Sequence, residues 1–149
     1  MRTASPQLSR LPHLLACAGA LPFVAAGLLS VTGTTSVPGI GPVQDATALY
    51  GLLITVFLAG IHWGQQLSDV KPGVNLFAVS NVIVVVLFVS WLLLPMAAVI
   101  LLLVVALGAI LVIDATLLRD GVLSPVYFRT RFIITGIAML SLGLVVALP

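Results

Sequence analysis

Long apolar runs, broken by short clusters of Gly, Pro and charged residues, dominate the chain. Five such runs stand out, at about 11–31, 46–67, 75–94, 96–118 and 125–148. An α-helix needs about 20 predominantly apolar residues to cross the hydrocarbon core of a bilayer. Each run meets that length, so the pattern predicts five membrane-spanning helices in one domain over residues 1–149. A secretory signal is a competing reading of the first run, since Leu14-Leu15-Ala16-Cys17 resembles a lipoprotein cleavage site. The apolar stretch before Cys17 is short, holds Pro12 and His13, and continues well past the candidate site. A span fits it better. A β-barrel would need alternating polar and apolar residues, and runs such as Val82–Val89 do not alternate.

The breakers predict the connections. Residues 32–44 read as a loop, with Gly33, Pro38, Gly39, Gly41 and Pro42. Asp45 is placed to cap the second helix, where a carboxylate accepts orphan N–H groups. The turn 68–74 holds Asp69, Lys71, Pro72 and Gly73. Ser124-Pro125 reads as an N-cap followed by proline at the first helical position. Runs three and four are divided only by Leu94-Pro95-Met96. Together they are too long for one span and right for two, so a very tight turn is expected there. Within run three, Ser80 and Asn81 are expected to hydrogen-bond between helices.

Composition agrees. Of 149 residues, 61% are hydrophobic and 7% charged, too little polar material to cover a soluble domain. Disorder needs the opposite composition. The net charge of +2 comes from six basic and four acidic residues; six scattered cations make no phosphate-binding stripe, so no nucleic-acid partner is expected. Cys17 is the only cysteine, which excludes an intramolecular disulfide and a thiolate cluster. With five spans, Arg2, Arg10, Lys71, Arg119, Arg129 and Arg131 all fall on or near the side of the amino terminus. The positive-inside rule makes that side the cytoplasm and puts the carboxyl terminus opposite. Trp63 and Tyr127 fall toward that side, and Tyr50 and Trp91 toward the other, at the interfaces that aromatics favour.

Four ionisable groups lie inside the spans: His62, Asp114, Arg129 and Arg131. Intramembrane charges are costly, and most are paired or functional. At about 1.5 Å per residue all four sit roughly 6–9 Å inside the cytoplasmic boundary. Asp114 and an arginine can form a structural clasp; the layer can equally be a ligand site or a proton relay. Arg131 is the expected partner, because Arg129 lies nearer the boundary and can snorkel to head groups. His62 is expected to face the bundle and Trp63 the lipid or interface. Gly60 and Gly64 have GxxxG spacing, which permits close helix packing. One His and one Asp are too few for a dedicated metal site. No phosphate-binding loop, nucleophile elbow or dinucleotide fingerprint is present, so neither catalytic residues nor a cofactor is assigned.

The order of features resembles the family of domain of unknown function 3429, which includes the transmembrane protein 69 proteins. The resemblance rests on Ala18-Gly-Ala-Leu-Pro-Phe23, on Tyr50 and Phe57-Leu-Ala-Gly-Ile-His-Trp-Gly64, on Asp114, and on Tyr127-Phe-Arg-Thr-Arg-Phe-Ile-Ile-Thr135. The family more usually has Gly where Ala59 stands, and a proline and a tryptophan in the third span near Ser80-Asn81. The resemblance implies a small multispan membrane protein of bacteria or mitochondria and no assigned activity. The expected setting is the bacterial inner membrane, with the bilayer as first partner. Three functional readings stand: a non-enzymatic structural or accessory protein serving other membrane proteins, a lipid- or quinone-binding protein, and a small transporter or proton-conducting bundle.

Overall fold

The computed structural model describes residues 6–67 and 73–148, with side chains from Leu14 onward. Arg2, Asp69 and Lys71, and the side chains of Arg10 and His13, lie outside the described part. Five helices carry the chain: α1 Pro6–Val31, α2 Val43–Gln66, α3 Leu76–Leu93, α4 Met96–Arg119 and α5 Pro125–Ala147. All five are long and apolar enough to cross a membrane. The protein is an all-α membrane protein, a five-helix transmembrane bundle.

The helix ends follow from local chemistry. Ser124 accepts from Tyr127 N–H and Pro125 occupies the first position of α5, as expected. Asn75 caps α3 through Ala78 N–H, and Gln66 at the end of α2 accepts Leu76 N–H at 2.8 Å. Both donors would otherwise be orphans of the first turn. Gly33 and Gly121 take positive φ just past α1 and α4. Each closes a paired C-terminal motif: Thr34 N–H to Leu29 O with Gly33 N–H to Ser30 O, and Val122 N–H to Leu117 O with Gly121 N–H to Leu118 O.

Three expectations are corrected. Asp45 is not the cap of α2; the cap is Pro42, and Asp45 lies in the first turn. The connection before α2 is a small hairpin, with β1 Ser36–Val37 antiparallel to β2 Gly41–Pro42. Its tip is Pro38-Gly39, with Gly39 at positive φ and Ile40 N–H bonded to Val37 O. The hairpin delivers Pro42, whose ring fixes φ, directly into the helix. Ser80 and Asn81 bond not between helices but back along α3, to Leu76 O and Phe77 O. A carbonyl four residues back is the nearest acceptor for a short side chain in apolar surroundings. Helix α1 begins at Pro6, ahead of the apolar run; a proline in the first turn forfeits no hydrogen bond.

The tight turn between α3 and α4 is present, with only Leu94 and Pro95 outside the helices. Helix α4 is the centre of the bundle; Val99, Ile100, Leu103, Leu107, Ile110 and Leu117 are all buried. It packs against α2, α3 and α5, while α1 lies along α5 and meets α2 less extensively. The outside is apolar, with Leu21, Phe57, Val85, Phe88, Val105 and Leu140 exposed. Lipid covers such a surface, so the helices are held by close packing and hydrogen bonds rather than by escape from water.

Candidate functional site

The buried faces of α2, α4 and α5 repeat with alternating steps of three and four. On α4 the seam runs Leu103, Leu107, Ile110, Asp114, Leu117; on α5 it runs Arg131, Thr135, Ala138, Leu142, Val145. On α2 it runs Ala48, Gly51, Thr55, Leu58, His62. This is the seam spacing of helices that pack along their length. Each seam carries one ionisable residue near the same end of the bundle, and the three meet.

Asp114 is the hub. Its Oδ2 accepts from Arg131 Nε at 2.9 Å and pairs with Arg131 Nη2 at 2.8 Å. Its Oδ1 lies 2.9 Å from His62 Nε2. Exposure is 1% for His62, 2% for Asp114 and 8% for Arg131, so water screens none of them. An ionised carboxylate only accepts, which makes Nε2 the protonated nitrogen of the imidazole. Nδ1 is buried without a hydrogen-bond partner among the described residues. Two donor groups on one carboxylate oxygen and a third on the other form a charge-assisted network that locks α2, α4 and α5 together.

The structure brings His62, Asp114 and Arg131 together and leaves Arg129 out, exposed on α5. About 200° of helical rotation separates the two arginines, so only one can turn to α4. Trp63 points outward, 42% exposed, with its ring edge-on to Phe77 of α3. Gly60 and Gly64 lie on an open face, where an added Cβ would meet nothing within 4 Å. Among the described residues none uses their close-packing capacity. Among the described residues no three His, Cys, Asp or Glu side chains gather as metal ligands would.

Arg131 also lines a cavity of about 410 Å³ between α1, α2 and α5. The exposed Leu15 and Phe57 stand among its walls, Phe23, Leu107 and Ala138 are its deep residues, and Tyr127 and Thr135 add hydroxyl-bearing side chains. Tyr50 braces the α1–α2 contact beyond it, donating to Gly19 O at 2.8 Å with its ring edge-on to Phe23. The volume is within the range of small-molecule sites, which are mostly apolar with a few convergent polar groups. Neither this cavity nor the His62–Asp114 contact is anticipated from sequence. The seam spacing would have revealed the contact; the cavity depends on how α1 packs more closely on α5 than on α2.

The profile of a family described as "Protein of unknown function (DUF3429)" matches residues 8–147. The chain belongs to this family. The match covers all three network residues and every residue of the cavity, so both features lie within the DUF3429 region. The curated proteins gave no match, and neither did the solved structures.

Proposed function

We propose that this DUF3429 protein is a non-enzymatic membrane protein that binds an amphiphile, a lipid or a quinone, in the α1–α2–α5 cavity. One observation carries this: an apolar cavity is joined to a fixed cation, Arg131, whose orientation Asp114 holds. The exposed Leu15 and Phe57 would admit a tail from the bilayer. We place the site near the cytoplasmic boundary of a bacterial inner membrane, because the cations gather at that end. Mild extraction from native membranes, followed by mass spectrometry of bound small molecules, tests the reading. A lipid or quinone should co-purify with the wild type and be lost from Ala16→Trp, since Ala16 of α1 lines the cavity and an indole there would fill it. Equal recovery from both would sink the reading.

A specific observation favours a second reading, an accessory protein of a larger membrane complex. The Gly60–Gly64 face is unused among the described residues, and small-residue faces permit close helix approach. A protein partner that co-purifies and is lost from Gly64→Leu would support it. A conducting bundle has less in its favour. Between the polar layer and the far end the described interior is mainly aliphatic, with Leu103, Leu107, Leu142 and Val145, and its buried polar residues there, such as Thr55 and Ser141, are hydroxyls rather than a chain of titratable groups.

A further inference from the structure

The head group of the amphiphile follows from the charges around Arg131, an argument that rests on the cavity reading above. We infer that the cavity selects a neutral amphiphile whose head presents a carbonyl acceptor, a quinone or a fatty ester, over one with an anionic phosphate.

Arg131 is already matched. Its Nε and Nη2 both face Asp114 Oδ2, within 2.9 Å, and both side chains are buried. His62 Nε2 faces the other oxygen, and its buried Nδ1 has no hydrogen-bond partner among the described residues; the uncharged ring, which leaves a lone pair there instead of a second N–H, is the form that fits. The network therefore sums to zero. Among the described side chains that line the cavity, Arg131 is the one cation; Arg129 is exposed and does not line it. A phosphate entering here would share a single cation with the Asp114 carboxylate. Two anions on one cation leave an uncompensated charge in apolar surroundings, which is strongly unfavourable.

The cavity does still offer hydrogen-bond donors. The Nη1 amino group takes no part in the bonds to Asp114, and it carries two N–H groups. Tyr127 and Thr135 bring hydroxyls to the same wall. Donors of this kind suit a carbonyl oxygen, and the rest of the lining, including Ile54, Phe57 and Ala138, suits an apolar tail. Polar groups that converge in an apolar pocket fix orientation and specificity.

The full chain, purified in dodecyl maltoside, which has no carbonyl, is titrated with decylubiquinone, methyl oleate and farnesyl phosphate. A neutral carbonyl probe should bind at least about tenfold more tightly than farnesyl phosphate, and Ala16→Trp should abolish that binding. Whichever of decylubiquinone and methyl oleate binds more tightly separates the quinone from the ester. Asp114→Asn uncovers the Arg131 charge and should shift the ratio toward farnesyl phosphate by about tenfold or more. If that variant does not fold, the wild-type ratio decides. Farnesyl phosphate binding as tightly as the neutral probes, and sensitive to Ala16→Trp, overturns the neutral head group and leaves the amphiphile reading intact. Failure of every probe to bind, or binding indifferent to Ala16→Trp, overturns both.

Discussion

Gly27 of α1 and Ser141 of α5 bring their helices almost into backbone contact. A Cβ built on Gly27 would lie 3.3 Å from Ser141 Cβ and 3.4 Å from its Cα. Backbone cannot swing aside as a side-chain tip can, so Gly27→Ala must push the helices apart by a few tenths of an ångström. The expected loss is about 1–3 kcal/mol, the usual cost of overpacking. Unfolding by SDS in mixed micelles measures it; an unchanged midpoint would mean that α1 shifts freely on α5.

Asp114 is the residue whose loss costs most. Breaking one member of a buried ion pair typically costs ~3–5 kcal/mol, because the partner is left charged and unmatched. Asp114→Asn should lower stability by that order, and Arg131→Gln added to it should recover part of the loss. Arg129→Gln should recover none, and alone should change stability by less than about 0.5 kcal/mol, as at other exposed positions. Rescue by Arg129→Gln would contradict the pairing seen here.

Tyr50 ties α2 to α1 with one hydrogen bond and one ring contact. Tyr50→Phe keeps the ring and leaves Gly19 O without its donor. The expected destabilisation is about 1 kcal/mol. Hydrogen exchange at the α1 amides near Gly19 should quicken in this variant and stay unchanged at the start of α4; uniform quickening would point to global loosening instead.

Gly60→Ala and Gly64→Ala should behave oppositely to Gly27→Ala. No described residue meets a Cβ at either position, and alanine favours a helix over glycine by up to about 1 kcal/mol. Purified protein should be as stable as the wild type or slightly more so. A variant stable when purified but poorly accumulated in cells would reveal a partner on this face.

The cation distribution predicts opposite locations for the two termini. Alkaline phosphatase fused after residue 148 should be active, and fused before residue 6 inactive; a fluorescent reporter confined to the cytoplasm should show the reverse. Both termini on one side would contradict the five-span topology.

The five helices were legible because a bilayer thickness is a strict ruler and each apolar run meets it. Ser124-Pro125 was legible too, since a cap and a first-turn proline act locally. Asp45 misled because a carboxylate before an apolar run reads as a cap, whereas the Pro38-Gly39 turn, three residues before Pro42, already sets the chain's entry. Depth along the helix separated Arg131 from Arg129, and facing separated His62 from Trp63. Depth alone did not pair His62 with Asp114; that takes the register of the seams on α2 and α4. The cavity was beyond reach, because it depends on α1 packing more closely on α5 than on α2 and on no local pattern.

The two-residue link between α3 and α4 bears on how the chain enters the membrane. Leu94 N–H is bonded to Ser90 O, and Pro95 O accepts from Ala98 and Val99. Neither residue is charged. The pair α3–α4 can therefore enter as one hairpin whose tip carries almost no hydration to shed. The other connection at that end, 32–42, also has no charged residue. In the proposed orientation Asp45 is the single formal charge of the described chain that must be carried across, so translocation of this face would meet little electrostatic resistance, and the arginines of the opposite face would stay where synthesis leaves them.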